Sequence, residues 1–364
     1  MGRYLLKRIL LIPPTLFSIL FLNFILIQWA PGGPVERAIA EFQGLSGGSM
    51  SSSLVGGGFA DTEIPQGEDA GLYRGSAGVP PKIVKEIEAM YGFDKPFWTR
   101  FYLMVGKYLR GDLGESYYKK QPVGKLIRDK LPVSISLGLW STLLVYAVSL
   151  WLGIRKAQRH RSRFDSLTSI AVVVGYAVPA FLFGLLLIVL FAGGSYWSFF
   201  PLRGLVSSGA ENWSWGMRIL DYVWHMVLPL ATQVLGGFAS LTLLTKNAFL
   251  EEMQKPYVTL AYAKGLTEKR VLACHIFRNA LLVLIVGFPQ AFLHMFFTGS
   301  LLTEVLFSLD GIGYLGFQAT LVRDYPVVFG TLFVFTLCSL IMHVVGDLLY
   351  AKVDPRMHFR REGD

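Results

Sequence analysis

The sequence predicts an all-α polytopic membrane protein with six transmembrane helices and a small extracytoplasmic helical element. Three observations carry this. First, 53% of the 364 residues are hydrophobic and only 16% charged, with a mean hydropathy of +0.47. A soluble domain carries about a quarter charged residues. Second, six long windows contain no Asp, Glu, Lys or Arg: 9–35, 131–154, 166–202, 222–245, 279–303 and 325–346. Each is long enough to cross about 30 Å of hydrocarbon as a helix. Third, Lys and Arg concentrate in alternate connecting segments, with 18 in one set and 3 in the short loops of the other. Short cytoplasmic loops hold the positive residues, so both termini are expected in the cytoplasm. The same figures exclude a disordered chain. Cys274 and Cys338 are too few for a disulfide framework or a four-cysteine zinc site, and no metal site is expected.

The elements follow in chain order. Residues 1–30 read as a retained signal-anchor helix, because the apolar run Ile9–Ala30 exceeds the roughly 7–15 residues of a cleaved signal core. Residues 31–131 form an extracytoplasmic segment. Its first part, 31–80, is Gly/Ser-rich and reads as flexible, as does the charge-free but non-apolar stretch 42–60. Its second part, 81–131, is expected to be helical. Ile83, Val84, Ile87 and Met90 suit a short helix after Pro80-Pro81, and a second should start near Pro96 and end before Gly111. Val123, Leu126 and Ile127 suit a third, amphipathic helix leading into the second span. The remainder, 132–350, holds the other spans and the inner segment 251–279, and 351–364 is expected as a cytoplasmic tail. Pro13-Pro14, Pro179, Pro229 and Pro289 lie in or near spans, where each frees a carbonyl and can bend its helix or line a cavity. Trp29, Trp151, Trp197 and Trp224 sit near span ends, where amphipathic rings favour the interface.

The inner segment 251–279 is the most patterned. Pro256 suits the first turn of a short helix, and Gly265 can close it in a left-handed conformation. Thr267 then offers an N-cap for another helix, with Leu266 and Val271 at staple spacing. Ala261 and Ala263 are small enough to let another backbone approach, so the segment suits a docking knob.

YGFDKP (91–96), GDLGES (111–116), PVGKLIRDKLP (122–132), FPLRG (200–204), DGIGYLG (310–316), RDYPVVFG (323–330) and DPR (354–356) occur in one order along the chain. In that order they resemble the oligopeptide/dipeptide class of bacterial ABC-importer permeases, over nearly the whole sequence. The resemblance implies a translocation pathway for peptides, working by alternating access in the bacterial inner membrane. It also implies partners: a second permease subunit, ABC ATPases as two proteins or one fused protein, with the most similar subgroup favouring fusion, and an extracytoplasmic peptide-binding protein. The segment 256–280 resembles the EAA loop of these permeases, whose short coupling helix sits in a groove of the ATPase. On that resemblance Ala261, Ala263 and Gly265 form the motif core, flanked by Tyr257 and Lys264, and Arg278-Asn279-Ala280 leads into the fifth span.

Chemistry of the chain's own is not expected. GxxxxGK[ST] is absent, so ATP and magnesium would be bound by a partner ATPase, with no cofactor in this chain. Neither HExxH nor GxSxG occurs, which leaves an intramembrane hydrolase without a nucleophile and base. His343 and Asp347 are one helical turn apart in the last span, and a proton-coupled secondary transporter is the alternative reading they support. Glu304 and Asp310 are weak substrate-binding candidates near the outer mouth, against an ordinary role as solvated loop residues. The net charge of +9 is almost wholly on the inner segments, so it records membrane orientation and not affinity for nucleic acid.

Overall fold

The computed structural model describes residues 2–29, 94–194, 196–294, 296 and 300–353. The flexible stretch expected at 31–80, the helix expected over Ile83–Met90 and the tail from residue 354 lie outside the described residues. Among the described residues the secondary structure is helical apart from turns and an isolated bridge between Glu115 and Pro122. The helices are α1 (Gly2–Trp29), α2 (Phe97–Leu109), α3 (Val123–Gln158), α4 (Arg163–Ala177), α5 (Ala180–Phe191), α6 (Trp215–Met253) and α7 (Pro256–Ala263). After them come α8 (Glu268–His294, with a π-helical turn at Leu272–Ile276), α9 (Ser300–Leu306), α10 (Ile312–Val322) and α11 (Tyr325–Val353).

Five helices are long and apolar enough to span a bilayer, or six when α4 and α5 count as one broken span. Only 11–44% of the residues in their apolar windows are buried inside the protein. The remaining apolar faces are satisfied only by hydrocarbon, which is the physical case for a membrane protein.

The third window, expected as one span with a proline able to bend it, is broken at that proline: α4 and α5 meet at 92°. Val178 leaves the helix at φ −83°, ψ 120°, because the residue before a proline is pushed from helical to extended backbone. Pro132, Pro229 and Pro289 stay inside continuous helices. The amphipathic helix expected around Val123–Ile127 is not separate; it is the first two turns of the 36-residue α3. Buried hydroxyls are satisfied locally: Thr142, Thr232, Thr242 and Thr245 each donate to the carbonyl four residues earlier, at 2.6–2.9 Å.

The chain divides into two compact units. The unit made of Pro14–Lys125 and Gln318–Phe333 is cored by Leu20, Phe24, Phe101, Tyr108 and Phe329. Here α2 starts after Pro96 and stops at Gly111, whose φ of +78° closes a two-bond Schellman cap. Asp324, almost fully buried in this unit, accepts from the Ser116 hydroxyl and from the Tyr117 N–H at 3.1 Å. The other unit (Met1–Pro13, Leu126–Phe317 and Val334–Asp364) contains two buried clusters. One, at Leu137, Met226, Leu228, Phe307 and Leu309, joins α3 and α6 to the residues around the end of α9. The second, at Ala157, Phe249, Val258, Ala261, Val271, Ile276 and Ala280, lies under α7.

Candidate functional site

The segment between α6 and α8 is built by local signals. Pro256 occupies the first position of α7, where its missing N–H has no helical partner to lose. The helix stops because Gly265 adopts φ +81°, a conformation that costs a side-chain-bearing residue about 1–2 kcal/mol. Gly265 N–H then donates to the Tyr262 carbonyl at 2.9 Å, and Leu266 N–H to the Ala261 carbonyl at 3.3 Å. These two bonds are a Schellman cap. Thr267 stands at the N-cap of the next helix in extended conformation, but its hydroxyl makes no capping bond. Leu266 and Val271 instead hold the turn by joining the same apolar cluster.

The result is a two-turn helix with distinct faces. Val258 and Ala261 point into the cluster with Phe249, Val271 and Ile276. Pro256, Thr259, Leu260, Tyr262 and Ala263 face outward, and Leu260 and Tyr262 remain 56% and 45% exposed. The expected coupling residues therefore divide between inside and outside. Ala261 is buried and packs within this chain, Tyr257 is half-buried, and Ala263, Lys264 and Gly265 are exposed. The small residue at Ala261 lets α7 lie close against its own core; Ala263 is the small residue that a partner could reach.

A polar hub ties α7 to both neighbouring helices. The buried Glu252 carboxylate accepts from the Tyr257 hydroxyl, from the Lys255 ammonium and, at 3.0 Å, from Asn279 Nδ2. Asn279 Nδ2 also donates to the Tyr257 oxygen at 3.1 Å and to the His275 carbonyl at 3.3 Å. The His275 carbonyl lies in the π-helical turn, where wider backbone spacing leaves room for side-chain donors. Hydrogen bonding to Glu252 raises the Lys255 pKa above the usual lysine range. Burial, then the bond to Glu252, pushes the Tyr257 phenol upward. Tyr257 and Asn279 were singled out only by the resemblance of 256–280 to a permease coupling loop; Glu252 carried no sequence signal beyond being an acid in an inner segment.

A second buried cluster lies on the same unit. Lys156 is fully buried, and its ammonium donates to the Asp165 carbonyl at 2.9 Å, Thr168 Oγ1 at 2.9 Å and Ser169 Oγ at 2.7 Å. Its Nζ is 3.1 Å from Asp165 Oδ1, and Lys246 donates to both Asp165 oxygens at 2.8 Å. These contacts lock the C-terminal parts of α3 and α6 to the first turn of α4. As positive residues of inner segments, Lys156 and Lys246 gave no hint of burial.

The two weak substrate-binding candidates differ in their surroundings. Glu304 is not a solvated loop residue: it is fully buried. It accepts from Ser134 Oγ at 2.6 Å and from the Tyr314 N–H at 2.8 Å, while Ile312 N–H donates to Ser134 Oγ at 2.8 Å. Its carboxylate thus caps the first turn of α10, where the helix dipole favours negative charge. A side chain at Gly311 would overlap this carboxyl. Asp310 is largely exposed and ion-pairs with Lys130. Asp347 does not pair with His343; its carboxylate lies 3.2 Å from Arg8 Nε, and His343 is exposed on α11.

Comparison with known proteins adds the following. Residues 149–359 match the family model described as "Binding-protein-dependent transport system inner membrane component". The chain is 52% identical to "Inner membrane ABC transporter permease protein YejB" of Escherichia coli O157:H7 over 99% of both sequences. It is 50% identical, again over 99% of both, to "Peptidoglycan transport system permease protein YejB" of Agrobacterium fabrum. It is 29% identical to "Oligopeptide transport system permease protein AppB" of Bacillus subtilis, over 99% of this chain and 100% of that one.

Proposed function

Since the chain belongs to the binding-protein-dependent transport system inner membrane component family, we propose that it forms, with a second permease subunit, the path by which an ATP-driven ABC importer brings peptides into the cytoplasm. It is a multi-pass inner-membrane component and not an enzyme. The peptide substrate rests on relatives named for oligopeptide and peptidoglycan transport. The alternative of a proton-coupled carrier loses its main support, because Asp347 faces Arg8 and not His343.

The observation in this structure that carries the coupling role is α7. It offers Leu260, Tyr262 and Ala263 outward, while its inner side is fixed by the cluster around Phe249 and the Glu252 hub. A helix held rigidly at the membrane face, with exposed apolar residues and no charge among them, suits insertion into a partner's groove. The partner would be the ATPase, which would bind ATP and magnesium, with no cofactor expected in this chain. Nucleotide-driven closure of the ATPase would move α7, and the hub would pass that movement to α6 and α8 together. A binding protein would deliver peptide on the outer side, and both termini of this chain would be cytoplasmic.

The test is uptake into vesicles by the complete importer, comparing a labelled peptide with peptidoglycan fragments as competitor. ATP-dependent peptide uptake that collapses in Gly265→Arg supports the reading. Uptake without any ATPase partner, or undiminished in Gly265→Arg, overturns it.

A further inference from the structure

The break between α4 and α5 does more than bend a span. Non-helical backbone at membrane depth persists where it is buried in protein or lines a cavity. Beside this break lies a cavity of about 230 Å³, walled by Phe181 at the start of α5, Thr232, Gln233 and Gly236 halfway along α6, His294 at the end of α8 and Thr303 on α9. None of its lining residues is an acid, a lysine or an arginine. The walls are chiefly apolar, and the polar atoms are an imidazole, an amide and two hydroxyls.

His294 is the ionisable member. It is exposed on its helix, and among the described residues it makes no hydrogen bond. Thr232 donates to the Leu228 carbonyl at 2.9 Å, which leaves its oxygen able to accept. A lipid tail in this space would give the imidazole no partner, at a cost in an apolar medium. A peptide group offers one donor and one acceptor, and an uncharged side chain next to it meets the apolar walls. The volume falls below the roughly 300–1,000 Å³ of sites that enclose a whole small ligand. It fits part of one.

We propose that this cavity is a side-chain subsite for peptides in transit: it takes one uncharged apolar side chain, while His294 hydrogen-bonds the peptide group beside it. The proposal rests on the peptide-permease reading above and adds the class of residue that is accepted. Lysine and glutamate side chains are disfavoured because no opposite charge lines the cavity to offset their desolvation.

The experiment uses the complete importer in proteoliposomes with Ala-X-Ala peptides, where X is Ala, Leu, Phe, Lys or Glu. Each variant is compared with wild type for the same peptide, so the binding protein's own preference cancels. In Gly236→Leu, which fills the space beside Ala180, KM for X = Phe and Leu should rise about tenfold or more. For X = Ala it should change less than twofold, with ATPase stimulation retained. His294→Ala should raise KM for all the peptides, and His294→Gln should restore it in part. Wild-type protein provides a measurement independent of folding: a peptide with a photoreactive benzoylphenylalanine at X should crosslink to α5, α6 or α9 near Phe181, Gly236 and Thr303. Equal losses for every X in Gly236→Leu, an unchanged KM in His294→Ala, or crosslinks confined to other helices overturn the subsite while leaving the permease role intact. Absence of ATP-dependent uptake of any peptide by wild type overturns both.

Discussion

Ser134 and Glu304 lie 170 positions apart in the chain, yet Ser134 Oγ donates to the buried Glu304 carboxylate at 2.6 Å and receives the Ile312 N–H at 2.8 Å. One serine and one glutamate thereby fix the start of α10 against α3 and α9. Removing a buried carboxylate leaves its donors facing an apolar interior. Glu304→Ala should therefore lower stability by about 2–4 kcal/mol, and Glu304→Gln by less. Gly311→Ala should resemble Glu304→Ala, because the added methyl occupies the carboxyl's place. Thermal unfolding in detergent measures all three. A Glu304→Ala transition matching that of an exposed-site control would refute the brace.

Gly265 has open space where a side chain would go, so its backbone conformation alone decides what it tolerates. Asn accepts left-handed backbone and β-branched residues do not. ATP-driven uptake by the complete importer should fall in the order Gly265, Gly265→Asn, Gly265→Val. The valine variant should cost the turn about 1–2 kcal/mol. Equal uptake by Asn and Val variants would show that the left-handed turn does not matter.

Glu252 and Asn279 share the Tyr257 hydroxyl as well as their own 3.0 Å bond. Their substitutions to Ala should therefore be non-additive, with a coupling energy of about 1 kcal/mol in a double-mutant cycle on stability. In the transporting complex either variant should raise ATP hydrolysed per peptide imported, because α7 loses its tie to α6 and α8. Additive effects with an unchanged ratio would argue against the hub.

Asp165 neutralises two ammonium groups, one of them fully buried. Asp165→Asn leaves Lys156 and Lys246 as neighbouring like charges, whereas Lys246→Met leaves an intact Lys156–Asp165 pair. Breaking a buried pair by removing one partner costs about 3–5 kcal/mol. Asp165→Asn should reach that range and Lys246→Met should cost distinctly less, as read from folded yield and melting temperature. The reverse order would mean that Lys246, and not Asp165, organises the cluster.

Much of the segment between α6 and α8 was legible because its signals are short-range. Pro256 opens a helix, Gly265 ends it and Leu266 with Val271 braces the turn, each within a few residues. What Ala261 does was not legible: a small residue reads the same whether it admits a partner or its own core, and here it faces Phe249 and Val271. Glu304 read as a loop acid for a similar reason, since its donors at Ser134 and Tyr314 come from two other helices.

The sequence by itself determined the helical class, the apolar windows, the charge asymmetry and the helix ends at Gly111 and Gly265. Those follow from hydrocarbon thickness and backbone sterics, which act locally. Only the tertiary structure decided that the chain turns through 92° at Val178-Pro179, that Glu252 binds across to Asn279, and that Thr232, Gln233, His294 and Thr303 enclose one cavity. A proline licenses a break without setting its angle, and a buried polar group is satisfied by whichever distant helix packing brings to it.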